Sequence, residues 1–276
     1  MTEPLTPTEQ HVLELMDTVL RSHPASAEAA ATEAPDLDDC LAAIERLGQY
    51  GAEAAVASEA LAATMGHCAV SIRRWGLWAF GRVEQRTDVT LPVLRRALED
   101  SAAEVRREAA EALGRLGAAA LPALDALLRM MGDEDAAVRR YCVWSVGRLN
   151  ADVERLLPAL KVALDDTDPE VRREAVETLG HLGEAALAAR ERLEALALEG
   201  AHYRVAREAA ELLDRLAPGW DAPETPADDE APEASAPADD SHEELDGELA
   251  EETRAAEERG ADTEAEAKLE AAAKAS

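Results

Sequence analysis

Two columns of aromatic and acidic residues run through the middle of the chain and could bind a cationic partner. The paired positions, three residues apart, are Trp75 and Trp78, Glu108 and Glu111, Tyr141 and Trp144, Glu174 and Glu177, and Glu208 and Glu211. Carboxylates form ion pairs with Lys and Arg, and aromatic faces attract the same cations through cation–π contact. The columns therefore predict a surface for a peptide or protein segment that carries basic and apolar residues.

The residue types indicate that both columns face solvent or a partner. Glutamate fills them in three of the five pairs, and carboxylates are seldom fully buried unless they are paired. Aromatic side chains concentrated on an otherwise polar face are typical of a binding surface. The expected partner-binding residues are Trp75, Trp78, Glu108, Glu111, Tyr141, Trp144, Glu174 and Glu177.

Two alternatives concern the same positions. Trp75 and Trp78 could instead be covered by a helix from the N-terminus. A basic column also follows the second column by four residues, at Arg82, Arg115, Arg148, His181 and Arg215. Because a Glu–Arg pair four residues apart stabilises a helix by about 0.2–0.5 kcal/mol, we interpret this column as helix support in preference to a ligand contact.

The columns belong to a segment that recurs along the chain, most clearly from Val105 to Gly117. The apolar residue that opens each copy stands at Ile72, Val105, Val138, Val171 and Val205, in steps of 33 or 34 residues. Such a period is typical of stacked supersecondary units. Apolar residues within a copy have the spacing of one buried helix face, and a shorter helix is predicted before each copy. We expect a helix over 52–65 to pair with 69–83, followed by pairs near 90–116, 120–149, 153–182 and 185–216.

The stretch from Asp168 to Gly180, with the sequence DPEVRREAVETLG, resembles a HEAT-like repeat of the short type also called the phycobilisome-lyase-type repeat. The resemblance covers roughly residues 52–217. It implies an all-α protein, an α-solenoid of about five helix-turn-helix repeats whose second helices line the concave face. Similar arrays serve as adaptors, as bilin-lyase subunits and as DNA glycosylases.

Arginines and aspartates at repeated positions predict a structural ladder. An arginine follows the opening residue in four copies, at Arg73, Arg106, Arg139 and Arg172. The turns before the copies hold Asp100, Asp133, Asp135, Asp166 and Asp168, of which Asp100, Asp135 and Asp168 are the assigned partners. We expect Asp–Arg pairs between neighbouring repeats, and the resemblance also suggests them.

The two ends of the chain differ from the array at 52–217. Residues 1–51 are predicted to form N-terminal capping helices and a degenerate half-repeat. Residues 218–276 carry 20 acidic and 4 basic side chains and several prolines, a composition typical of a disordered or transiently helical segment. This tail either keeps the protein soluble or acts as a regulatory arm that competes for basic sites on the ligand.

The net charge restricts the class of partner, and the cysteines indicate the cellular compartment. The net charge is −30, and an acidic chain repels phosphate backbones and anionic headgroups, so neither nucleic acid nor membrane is expected as a partner. No apolar run approaches the ~18 residues of a membrane span. Three cysteines without a motif fit a reducing compartment, and we expect a cytoplasmic location.

Residues suited to catalysis do not form a recognisable pattern. The six histidines are scattered, and no phosphate-binding glycine loop, nucleophile elbow or metal motif occurs in the sequence. We therefore expect a monomeric, non-catalytic adaptor or scaffold without metal or cofactor. The alternatives are a subunit of a bilin-lyase-like enzyme and a relative of HEAT-like DNA glycosylases, although the glutamates of the columns disfavour DNA.

Overall fold

A computed structural model describes residues 6–22, 37–84, 86–199, 202–217 and 219–220. Every regular element within these residues is helical, which confirms the predicted all-α class. The predicted tail at 218–276 lies outside the described residues, apart from Gly219 and Trp220.

The described residues form twelve α-helices and four short 3-10 helices. The α-helices are α1 (Pro7–Ser22), α2 (Leu37–Tyr50), α3 (Ser58–Ala63), α4 (Val70–Val83), α5 (Thr87–Ala97), α6 (Ala103–Leu116), α7 (Leu124–Met130), α8 (Ala136–Arg148), α9 (Val153–Ala163), α10 (Pro169–His181), α11 (Arg190–Leu198) and α12 (Tyr203–Leu216). The 3-10 helices are Gly51–Ala57, Thr64–Gly66, Gly117–Ala123 and Gly183–Ala189.

The helices form two layers. The inner helices α2, α4, α6, α8, α10 and α12 stack in chain order, each in contact with the next. The outer helices α3, α5, α7, α9 and α11 each pack against the inner helix that follows. At the N-terminal end, α1 packs on α2 and α3. This arrangement is an α-solenoid, as predicted.

The opening apolar residues pack between the layers and fix each inner helix in place. Ile72, Val105, Val138, Val171 and Val205 are all buried. At the start of α10 the Asp168 side chain caps the helix, and Pro169 occupies its first turn, where a missing N–H has no partner to lose.

The first helix of a repeat is shorter than the sequence pattern indicates. A single helix was expected over 52–65, but the structure has the 3-10 helix Gly51–Ala57, then α3, then Thr64–Gly66. Gly51, Gly117 and Gly183 open the equivalent 3-10 helices with φ between 55° and 62°, a left-handed conformation that glycine adopts without the Cβ penalty. The chain therefore turns sharply after an inner helix before the next outer helix begins.

Candidate functional site

Trp75 and Trp78 are buried, with exposed fractions of 3% and 5%. Both belong to the apolar cluster that includes Val12 and Val19 of α1. A Cβ added at Gly48 of α2 would lie 2.2 Å from Cζ3 of Trp78, so this ring rests directly on the α2 backbone. The expectation that the first aromatic pair faces solvent is wrong, because the N-terminal helices remove both rings from water.

Glu108 and Glu111 on α6 are also buried, at 1% and 2% exposed, so the expectation that they face solvent is wrong as well. Arg115 accounts for their burial: its Nη2 donates to Glu108 Oε1 at 2.8 Å, and its Nη1 donates to Glu111 Oε1 at 3.1 Å. The second oxygen of Glu108, Oε2, has no hydrogen-bond partner in the described part of the chain. Burial raises the pKa of the Glu108 carboxyl to about 7, although Arg115 lowers it.

Tyr141 and Trp144 on α8 remain partly exposed, unlike the first aromatic pair. Their rings meet edge to face, with centroids 6.4 Å apart. Trp144 packs over Gly114 of α6, where an added Cβ would lie 2.2 Å from Cζ3. One side of the pair therefore packs on α6, and the other side is partly exposed.

The chain supplies its own cation for each of these aromatic rings. The guanidinium carbon of Arg148 lies 4.7 Å from the Trp144 ring centroid, and that of Arg140 lies 5.0 Å from the Tyr141 centroid. Arg82 covers Trp78 in the same way, at 4.9 Å. The sequence pattern predicted that a ligand would supply the cation for these rings; the signal for an internal cation is an arginine one residue before or four residues after each ring.

Carboxylates dominate the same face on α10 and α12, which we call the acidic end: Glu174, Glu177, Glu208 and Glu211. Glu177 and Glu211 are exposed, Glu208 is partly exposed, and Glu174 is 8% exposed. Arg173 lies among them, with Nη1 at 3.4 Å from Glu177 and 3.6 Å from Glu208.

Glu174 is the least satisfied group of the acidic end. It forms no hydrogen bond or ion pair with a described residue. Burial raises the pKa of its carboxyl to about 7, with a further contribution from Glu177, while Arg173 and Arg140 act in the opposite direction. Burial likewise raises the pKa of Glu208. This end of the face therefore favours an additional positive charge.

The arginine ladder has three rungs that join successive repeats. In each rung the Nε and Nη2 atoms of one arginine donate to both oxygens of an aspartate 27 residues later, at 2.7–2.8 Å. The rungs are Arg73–Asp100, Arg106–Asp133 and Arg139–Asp166. The Nη1 atom of each arginine also donates to two backbone carbonyls of the preceding turn.

Three of the assigned ladder residues behave differently. Asp135 accepts the Val138 N–H at 3.0 Å, and Asp168 accepts the N–H groups of Glu170 and Val171, so both cap helices and do not belong to the ladder. Arg172 donates to the carbonyls of Asp166 and Thr167 but has no carboxylate partner among the described residues. Glu199, at the equivalent position, binds Arg192 instead.

The described residues contain no group of three or more His, Cys, Asp or Glu that could hold a metal ion. Within the same ranges, no helix has the length and apolar character needed to cross a membrane. Cys40, Cys68 and Cys142 are free thiols.

The family described as HEAT repeats matches residues 58–134 and 124–214. No curated protein matches the chain in sequence.

Solved structures show the same fold at low sequence identity. A designed armadillo repeat protein in complex with the peptide (KR)4 has 21% identity and a TM-score of 0.50, covering 72% of this chain and 99% of that one. Computationally designed armadillo repeat proteins for modular peptide recognition have 19% identity and a TM-score of 0.51, covering 73% and 99%. The X-ray structure of YibA from Escherichia coli has 16% identity and a TM-score of 0.52, covering 77% and 76%.

The HEAT repeat matches span more than half of the chain and coincide with the stacked helix pairs α3–α12. The chain therefore belongs to the HEAT repeat family.

Proposed function

We propose that this protein is a non-catalytic adaptor that binds a peptide or protein segment on the concave face formed by α8, α10 and α12. The segment carries an apolar residue that packs against Tyr141 and Trp144, followed by basic residues that pair with the acidic end. Trp75, Trp78, Glu108 and Glu111 take no direct part, since they are buried. The protein acts as a monomer in the cytoplasm and needs no metal or cofactor.

The unpaired carboxylate of Glu174 is the observation that carries this proposal. Burial moves this carboxylate partly out of water, which disfavours its charged form and raises its pKa to about 7. An Arg or Lys head placed between α10 and α12 would stabilise the charged form and pair with Glu177, Glu208 and Glu211. The half-exposed rings of α8 lie on the adjacent helix, about 8–10 Å away, which suits an extended segment with neighbouring apolar and basic side chains.

Similar folds offer a probe for the test. A designed armadillo repeat protein of the same fold was solved in complex with (KR)4, a peptide made only of basic residues. We expect the full chain to bind a (KR)4 peptide in a calorimetric titration, and a variant with Glu177→Gln, Glu208→Gln and Glu211→Gln to bind it about tenfold more weakly. Exposed ion pairs contribute roughly 0.2–1 kcal/mol each, and three such losses account for a change of that size.

A matched control variant distinguishes the effect of losing the carboxylates of the acidic end from the effect of losing net charge. Glu99→Gln, Glu154→Gln and Glu191→Gln remove the same number of charges from exposed positions at or near the outer helices α5, α9 and α11. This outer variant should bind the peptide as the unchanged protein does. Equal weakening in both triple variants would show that only net charge matters and would reject the proposed site.

A further inference from the structure

The other half of the same face, on α4, α6 and α8, carries positive charge. Helices α4 and α8 contain no acidic residue, and the two glutamates of α6 on this face, Glu108 and Glu111, are buried and bound by Arg115. The arginines on this side of the three helices are Arg74, Arg82, Arg107, Arg115, Arg140 and Arg148. Although the chain has a net charge of −30, this region is a cationic surface.

Arg82, Arg115 and Arg148 form an exposed row along this surface, which we call the arginine row. Arg148 makes no ion pair with a described residue, and within the same residues Arg82 donates only to the Gly48 carbonyl, at 3.3 Å. Both stack on a tryptophan of their own helix. A stacked guanidinium is held in place while its in-plane N–H groups stay available to a carboxylate, which is a geometry suited to binding an acidic chain.

We propose that the acidic C-terminal segment of this chain, residues 221–276, binds the arginine row. Charge complementarity supports this occupant, because residues 221–276 hold 20 acidic and 4 basic side chains. The segment is also attached nearby, since α12 ends at Leu216 and Trp220 packs against the core at the C-terminal end of the stack.

The length of the segment is sufficient to reach the row. Four stacked inner-helix spacings separate α12 from α4, a distance of about 32–40 Å. A flexible chain of the same number of residues as 221–276 has an end-to-end distance of about 37–45 Å. Because it is tethered, the segment has an effective concentration of about 1 mM at the arginine row, so a weak attraction is enough to populate the bound state.

Binding at the row would bring the segment close to the neighbouring aromatic pair. Arg148 stacks on Trp144, so a segment that binds Arg148 also covers part of Trp144. The acidic segment and a partner that contacts Trp144 would therefore compete for neighbouring positions. This inference does not depend on the proposed partner, because binding of the segment is intramolecular and can be measured with the protein alone.

The experiment places a nitroxide spin label on the segment and observes the indole N–H signal of Trp144 by NMR. The label is attached at Ser241→Cys in a full chain that also carries Cys68→Ser, since Cys40 and Cys142 are buried. At about 0.01 M ionic strength, where the Debye length is about 30 Å, we expect the Trp144 signal to be selectively weakened. The reference is the same sample after the nitroxide has been chemically reduced. At about 1 M salt, where the Debye length is about 3 Å, the signal should return.

Two variants and one mixture complete the test. Arg82→Gln with Arg148→Gln should restore the Trp144 signal at low salt, whereas Arg95→Gln with Arg129→Gln, on the outer helices, should not. A Trp144 signal that is unaffected by the label at low salt would overturn the inference, as would equal recovery in both variants. Loss of signal in an isotope-labelled chain mixed with a spin-labelled, unenriched chain would assign the contact to a second copy and also overturn it.

Discussion

At the scale of single residues, the molecule satisfies most of its buried and half-buried functional groups internally. Arg115 holds Glu108 and Glu111, and the guanidinium groups of Arg82 and Arg148 cover the tryptophans. Glu174 is an exception, because no described residue forms a hydrogen bond or ion pair with it. The exposed or partly exposed aromatic and acidic groups that the proposed partner would contact therefore lie on α8, α10 and α12.

The raised pKa of Glu108 makes stability depend on pH. Its folded-state pKa of about 7 exceeds the ordinary value of 4.5, so between these values the native state holds a proton that the unfolded state has lost. Stability therefore falls as pH rises through this interval, by on the order of 1–3 kcal/mol from this group. Glu108→Gln should remove that part of the slope.

Urea unfolding from pH 5 to pH 8 would measure this effect, with the exposed Glu154→Gln as the control for loss of one negative charge. Burial also raises the pKa of Glu174, so some slope should persist in Glu108→Gln. An unchanged slope in Glu108→Gln would show that Glu108 is not desolvated as the structure describes.

Two helix glycines at equivalent positions should respond in opposite ways to alanine. At Gly114, a Cβ would meet Trp144 Cζ3 at 2.2 Å and Ser145 Oγ at 2.7 Å, so we expect a loss of about 1–3 kcal/mol in the free energy of unfolding. At Gly81, the nearest atom is Ala112 Cβ at 3.9 Å, and alanine should stabilise the helix by up to about 1 kcal/mol. Chemical denaturation of the two variants checks the difference; a stable Gly114→Ala protein would contradict the packing of Trp144 on α6.

At the scale of helices, the arginine ladder ties each turn to the next one. The arginine of each rung binds an aspartate of the next repeat and also donates to two backbone carbonyls of its own turn. The geometry of the turn and the stacking of the helices are therefore coupled. The last arginine, Arg172, keeps the carbonyl bonds without the carboxylate. The ladder therefore ends before α12.

This difference gives a matched pair of variants. Arg106→Gln and Arg172→Gln each remove two bonds to carbonyls, but only Arg106→Gln also leaves Asp133 without its cation. We expect Arg106→Gln to reduce the free energy of unfolding by about 1–3 kcal/mol more than Arg172→Gln does. Equal losses in thermal or urea unfolding would mean that the carboxylate contributes nothing beyond the carbonyl bonds.

The repeat pattern predicted the inner helices well because a buried stripe every 33 residues leaves few alternatives. It predicted the outer helices less well, since the left-handed glycines Gly51, Gly117 and Gly183 convert their starts to 3-10 helix. The exposure of the columns could not be deduced from one helix alone. Burial of Trp78 depends on Gly48, and burial of Glu108 depends on Arg115, so each requires knowing how neighbouring side chains pack.

At the scale of the whole molecule, the inner helices present a face with two different ends. The α4–α8 side carries arginines and the α10–α12 side carries accessible carboxylates, while the partly exposed rings of Tyr141 and Trp144 lie between them. The sequence predicted one surface that included both aromatic pairs, with burial of Trp75 and Trp78 as the alternative, and the N-terminal helices do cover those two rings. The proposed binding surface is therefore shorter and has a direction: the partner's apolar residue lies on α8, and its basic residues lie against the carboxylates of α10 and α12.

The most direct test of this surface follows the tryptophan indole N–H signals of the full chain by NMR as a (KR)4 peptide extended by one leucine is added. Trp144 should shift with the calorimetric binding curve, whereas the buried Trp75 and Trp78 should keep their positions. Binding without a shift at Trp144, or equal shifts at Trp75 and Trp78, would contradict a partner site on α8, α10 and α12.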